Sequence, residues 1–100
     1  MPRCKQKITI TNPQGLHARP ASLFVQLANR FRSTISLKKG AEEVDGKSIM
    51  GLLMLALERG STVELMTDGP DAQAAAQALA EFLQKDEEPG VPKLWRGRRG

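Results

Sequence analysis

Gly15-Leu16-His17-Ala18-Arg19-Pro20-Ala21 decides how this chain is read. Pro20 fits only in the first turn of a helix, where its missing N–H would have been unpaired anyway, so a helix begins at about Ala18, after the turn Asn12-Pro13-Gln14-Gly15. From there Ala21, Phe24, Val25 and Ala28, widened by Leu27 and Phe31, keep the spacing of one buried helical face and carry the helix to about Arg30. His17, the single histidine of the chain, then sits at the N-cap. The unpaired N–H groups and positive dipole end at such a terminus favour an anion and disfavour an imidazolium cation. His17 is therefore expected to be largely neutral at pH 7, with a lone pair free to attack phosphorus. Arg19 adds a planar fork of donors for phosphate oxygens. The competing reading is a polar surface or satisfied core histidine with no site at all; the helix start, Arg19 and the flanking Gly15 weigh against it.

Working outward, Lys7-Ile8-Thr9-Ile10 alternates and reads as a strand. Ser33 to Lys38 alternates again, with Ile35 and Leu37 on one face, and Lys39-Gly40 turns tightly into Glu42-Glu43-Val44-Asp45, so these two runs form a hairpin that ends at Asp45-Gly46. Ser48 reads as the N-cap of a short second helix carrying Ile49, Met50, Leu52, Leu53 and Met54. Gly60 resets the chain before a fourth strand, Thr62 to Thr67, and Asp68-Gly69-Pro70-Asp71 opens a last helix in which Ala72, Ala75, Ala76, Leu79, Phe82 and Leu83 keep helical spacing. The order strand, helix, two strands, helix, strand, helix predicts an α+β fold, an antiparallel sheet with one face covered by helices.

The Gly15 to Ala21 stretch resembles the active-site signature of the HPr family, the phosphocarriers of the bacterial phosphoenolpyruvate:sugar phosphotransferase system. Lys47-Ser48-Ile49-Met50-Gly51 is similar to the regulatory serine segment of the same family, and the separation of the two motifs agrees. The resemblance covers residues 4 to about 84 and implies a two-layer open-faced sandwich, βαββαβα, with four antiparallel strands and three helices on one side. It also implies a chemistry. Enzyme I, phosphorylated from phosphoenolpyruvate, would present its phosphohistidine to Nδ1 of His17, which would pass the phosphoryl group to an enzyme IIA domain. The helix-start amides of Ala18 and Arg19, with the Arg19 guanidinium, would steady the transferring group, since catalysis of this kind is mainly positioning and electrostatics. Such a protein is a carrier with a covalent phosphohistidine intermediate rather than an autonomous enzyme, and it needs no cofactor and no metal. One histidine and one cysteine without ligand spacing show no metal site either.

By the same resemblance Ser48 is a site of regulatory phosphorylation by an ATP-dependent HPr kinase/phosphorylase, which not every organism with HPr possesses. A phosphate there brings about −1.5 to −2 charges to a helix start whose dipole welcomes them, so the fold should survive while docking changes. Ile49, Met50, Leu53 and Met54 are the candidate docking residues for protein partners; ordinary helix core is the other reading for this helix and accounts for Leu52, Leu55 and, in competition with docking, Leu53. Gly46-Lys47-Ser48 also matches the end of a phosphate-binding P-loop, but that motif needs glycine where Ala41 stands, and Glu42, Glu43 and Asp45 would repel a nucleotide.

Composition agrees with one small domain over residues 1–84: 100 residues, 40% apolar and 26% charged. A single cysteine, Cys4, forms no internal disulfide and suits a reducing cytosol. Met1 to Lys7 has no apolar signal-peptide region, and the longest apolar run, Leu52 to Leu57, is too short for a bilayer; the expectation is a cytoplasmic protein without membrane insertion, a monomer by default. Residues 85–100 change character: five basic against three acidic residues, two prolines and the single tryptophan Trp95 read as a flexible basic tail. Its arginines and tryptophan could pair with nucleic acid, a disfavoured reading beside a solvated extension. The alternative for the whole chain is an HPr-like regulatory protein, of a nitrogen branch or binding transcriptional regulators, that works by phosphorylation-dependent binding rather than sugar uptake. The resemblance implies that carrier-dead relatives replace the histidine, which this chain keeps.

Overall fold

The computed structural model describes residues 3–11 and 18–84. His17 and the tail 85–100 lie outside the described residues, as does the turn before His17. Seven elements follow in the order expected: β1 (Arg3–Thr9), α1 (Ala18–Ala28), β2 (Thr34–Lys39), β3 (Glu42–Asp45), α2 (Ile49–Leu55), β4 (Thr62–Asp68) and α3 (Ala72–Leu83). The strands form one antiparallel sheet in the order β1-β4-β2-β3, and the fold is the open-faced α+β sandwich.

Alternation decides which side of the sheet is covered. Ile8 pairs with Val63, Leu65 with Leu37, and Leu37 with Val44, so these side chains share the face beneath the helices. All but the half-buried Val44 are fully shielded from solvent. From above, α1 contributes Ala21, Phe24, Val25 and Ala28, α2 contributes Leu52 and Leu55, and α3 contributes Ala75, Leu79 and Leu83 to the same core. Phe24 meets Phe82 edge to face at 5.8 Å, joining α1 to α3 with the ring geometry that aromatic quadrupoles prefer.

The boundaries differ from the sequence reading for local reasons. β1 starts at Arg3 rather than Lys7, because the polar run Arg3-Cys4-Lys5-Gln6 is held by its ladder to β4 and not by an apolar face of its own. α1 stops at Ala28 rather than Arg30: the Arg30 N–H turns to the Leu27 carbonyl and the Phe31 N–H to that of Ala28, tightening the last turn. β2 runs Thr34–Lys39, one residue later than read, with Lys39 facing Glu42 across the Gly40-Ala41 turn.

Ser33 is left out of β2 because it is engaged elsewhere. Asp71 occupies the N-cap position of α3, but its side chain does not cap that helix; the carboxylate accepts from the N–H of Arg32 at 2.9 Å and from the N–H and hydroxyl of Ser33 at 3.0 and 2.6 Å. Gly69 lets the chain approach, since a Cβ there would lie 2.7 Å from the Ser33 Cα, and its φ of +153° suits glycine. Thr67 completes the joint by donating to the Ala72 carbonyl at 2.8 Å. The Ser33 hydroxyl first, and then the Arg32 N–H, hold the Asp71 carboxyl below its ordinary pKa of 3.8.

A depressed folded-state pKa contributes stability that is present above the unfolded value and lost as pH falls through the folded one. Asp71→Ala should therefore melt at a lower temperature than the parent at pH 7, and the difference should shrink as pH drops below 3.8. Thermal melts from pH 7 down to pH 2.5 check this; a gap that stays constant with pH would show that the carboxylate charge is not what the joint depends on.

Candidate functional site

α1 begins at Ala18, so residue 17 directly precedes the helix, as Pro20 required. Pro20 itself is buried within the first turn and Ala21 is wholly buried, while Arg19 between helix start and proline is exposed. This division suits a site at a helix start: Pro20 and Ala21 fix the terminus against the core, and the Arg19 side chain is open to solvent. On the other side of the segment 12–17, Ile10 is tied to the neighbouring turn by the Ile10 N–H to the Ser61 carbonyl and the Gly60 N–H to the Ile10 carbonyl, both 2.8 Å. Thr11 donates its hydroxyl to the Gln84 carbonyl at 2.7 Å, so the last turn of α3 is pinned where that segment leaves β1. Thr11 and Gln84 were not among the sequence candidates. Their contact spans 73 positions and has no local signal.

The second candidate region is α2. Ser48 is its N-cap in extended conformation (φ −116°, ψ 115°), and its hydroxyl accepts from the Gly51 N–H at 3.0 Å. Gly51 lets the helix settle on β3, since a Cβ there would come within 3.1 Å of the Val44 Cβ. At the other end Ala56 takes the left-handed conformation (φ 53°, ψ 61°) and returns its N–H to the Leu53 carbonyl. This arrangement costs a non-glycine residue about 1 kcal/mol.

Two lysines brace the same helix. Lys39 reaches from the end of β2 to donate to the Ala56 carbonyl at 2.9 Å, placing a cation where the helix carbonyls are unpaired. Lys47 donates from just before the N-cap to the Phe31 carbonyl at 2.8 Å, fastening the start of α2 to the end of the α1 segment. In the sequence Lys39 read only as part of the hairpin turn and Lys47 only as part of the serine segment, with no bracing role for either.

Leu52 and Leu55 anchor α2 in the core. Ile49, Met50, Leu53 and Met54 are 42%, 71%, 40% and 74% exposed. The reading of Leu53 as helix core is corrected: it lies one position round the helix from the buried Leu52 and shares the exposed face with the other three. α2 packs against α1, so this apolar face belongs to the helix adjoining the one that Arg19 opens. Among the described residues no cluster of three or more His, Cys, Asp or Glu is placed to hold a metal ion, and no helix is long and apolar enough to cross a membrane.

The family model described as "PTS HPr component phosphorylation site" matches residues 4–85. Among curated proteins, the HPr-like protein Crh of Halalkalibacterium halodurans is 48% identical over 82 residues, covering 82% of this chain and 98% of Crh. Phosphocarrier protein HPr of Neisseria meningitidis serogroup A is 47% identical over 79 residues, covering 79% of this chain and 89% of the relative. The crystal structure of HPr from Bacillus anthracis superposes with a TM-score of 0.81 at 42% identity, covering 84% of this chain and all of the other.

Ser48→Ala removes the cap acceptor and should cost about 1 kcal/mol of stability, whereas Ser48→Asp should retain most of it, because a carboxylate accepts the same bond and suits the dipole. Denaturant titrations of the three proteins check the order.

Proposed function

The chain belongs to the HPr family, and we propose that within it this protein is a working phosphocarrier of the phosphotransferase system: His17 accepts a phosphoryl group from phosphorylated enzyme I and passes it to an enzyme IIA domain. The observation that carries the reading is the start of α1 at Ala18, which makes residue 17, in this chain a histidine, the residue immediately before the helix in sequence. Exposed Arg19 supports it, as a donor fork at the helix end that would stabilise phosphoryl oxygens as charge moves onto them. The Ala18 and Arg19 amides are assigned the same task. In the transfer, the Nδ1 lone pair of His17 bonds to phosphorus as the phosphorus–nitrogen bond to the donor's histidine breaks, and the second transfer reverses the roles. The group must leave again, so donors that steady it without enclosing it suit a relay.

Ser48 is the proposed control point. Its hydroxyl is at the head of α2 and partly exposed. A phosphate there would add its charge directly beside Ile49 and Met50 and repel an acidic partner face. The second reading, a regulatory HPr-like protein acting by phosphorylation-dependent binding, is favoured by the 48% identity to Crh. The retained His17 favours the carrier.

Incubation with enzyme I, magnesium and phosphoenolpyruvate should add one acid-labile phosphoryl group to the full chain, and His17→Ala should gain none. A wild-type protein that gains nothing, or a His17→Ala protein that gains as much, would end the relay reading. Label that enters His17 but moves to no enzyme IIA domain would favour the regulator. Phosphorylation at Ser48 by an HPr kinase should be acid-stable and should slow transfer from enzyme I; an unchanged rate would remove Ser48 as a switch.

A further inference from the structure

Four large apolar side chains on one face of α2 stay in water while the rest of the helix layer is closed. Beside them runs β3, an edge strand with three acidic residues, Glu42, Glu43 and Asp45, all exposed and met by no ion pair among the described residues. Glu42 shares the helix side of the sheet with Val44, which touches α2 at Gly51, while Glu43 and Asp45 alternate to the open side of the same edge. The nearest lysine on the helix side, Lys39, is already engaged by the carbonyls at the end of α2. The surface is thus apolar with an acidic border.

The chain carries a segment of matching chemistry. Val91-Pro92-Lys93-Leu94-Trp95-Arg96-Gly97-Arg98-Arg99 has four cations around Leu94 and Trp95. It lies beyond the residues matched by the family model, which end at 85. It also starts from a fixed place, since the Gln84 carbonyl is pinned by Thr11 at the end of β1.

The distance fits. α3 packs on β1 and β4, α1 touches both other helices, and α2 lies over β3, so the helix layer runs α3, α1, α2 across the sheet. With neighbouring helices about 8–10 Å apart, the axis of α2 is roughly 16–20 Å from that of α3. Ten residues separate Gln84 from Trp95. A chain of that length has a root-mean-square span of about 17–19 Å and a full extension of about 33–36 Å. A linker whose natural span matches the gap gives an effective concentration in the millimolar range, so even a weak contact is substantially populated.

We propose that the 91–99 segment docks in cis on α2, with Leu94 and Trp95 against Ile49, Met50, Leu53 and Met54, and its arginines along the acidic edge of β3. Methionine faces adapt well to an aromatic occupant, and tryptophan with arginine forms the kind of anchor that a small apolar patch with an acidic rim retains. The consequence is competition: a partner that docks on α2 must first displace the chain's own segment. That consequence rests on the carrier reading, whereas the docking itself does not.

Trp95 is the only tryptophan, so its fluorescence reports the contact in the full-length protein. Acrylamide quenching should be reduced to roughly half that of a synthetic 85–100 peptide, as expected for a half-populated contact. It should be independent of protein concentration and return to the peptide value in the full-length Met50→Asp/Met54→Asp protein. Both positions are mostly exposed, so the variant should fold, which circular dichroism checks. Quenching equal to that of the peptide, protection unchanged in the variant, or protection that grows with protein concentration would each overturn docking in cis. In a second arm, full-length Leu94→Ser/Trp95→Ser should show an about twofold lower KM in phosphorylation by enzyme I, with kcat unchanged, since a half-populated competing state halves the apparent affinity. An unchanged KM overturns the competition, whereas absent phosphorylation in every protein overturns the carrier reading and leaves the fluorescence result to decide the docking.

Discussion

The burial of α1 is the constraint on which the other parts of this molecule depend. Ala21, Phe24 and Ala28 are wholly shielded, Val25 nearly so, and α1 is in contact with both α2 and α3. A shift of α1 along its axis would pull Phe24 from Phe82, detach α2 from its neighbour and move the helix start that carries Arg19. The position of that start is not adjustable by fraying, because Pro20 cannot serve as a later helical residue without forfeiting a bond and clashing with the preceding turn. The core thus sets the site: the apolar face determines where α1 lies, and the proline determines where it opens.

α2 depends on a different balance. Seven residues are too few to be stable as a helix in isolation, and here two of them, Leu52 and Leu55, are fully buried. What completes it is the treatment of its ends. Ser48 satisfies one free N–H, Ala56 closes the other end in a strained conformation, Lys39 occupies the exposed carbonyls and Lys47 binds the entry to the Phe31 carbonyl. With the ends held, the outer face is released from any role in folding. Ile49, Met50, Leu53 and Met54 can remain apolar and in water because stability is supplied elsewhere.

This division explains what the sequence disclosed and what it hid. The element order, the buried stripe of α1, the hairpin across Gly40-Ala41 and the Ser48 cap were legible because each is written in neighbouring residues. The first four residues of β1 were not, since an edge strand paired through its backbone needs no apolar alternation. The Asp71 to Ser33 joint was hidden because an aspartate just before a helix reads as a cap, and the distant partner that takes its carboxylate has no local mark. Leu53 shows the limit of periodicity on a short helix: with so few turns, one residue's rotation separates core from surface, and the adjacent Leu52 satisfies the same pattern. At the candidate site Arg19 and Ser48 were named from sequence, and the Thr11 to Gln84 pin and the two bracing lysines required the tertiary structure.

The same division bears on how a charge at Ser48 would act. A phosphoryl oxygen would still accept from the Gly51 N–H, and the added negative charge would sit at the favourable end of the helix dipole, so α2 has no reason to unfold. The bracing at the far end is untouched, because Lys39 answers to the Ala56 carbonyl and not to the N-cap. The new charge would then be felt where the helix is unbraced, on the side chains of Ile49 and Met50 that project into solvent next to it. A helix held firmly by its ends transmits modification as a change of surface rather than a change of fold, and that requires the surface to be apolar beforehand: a face already rich in charge would register two more only weakly through screening.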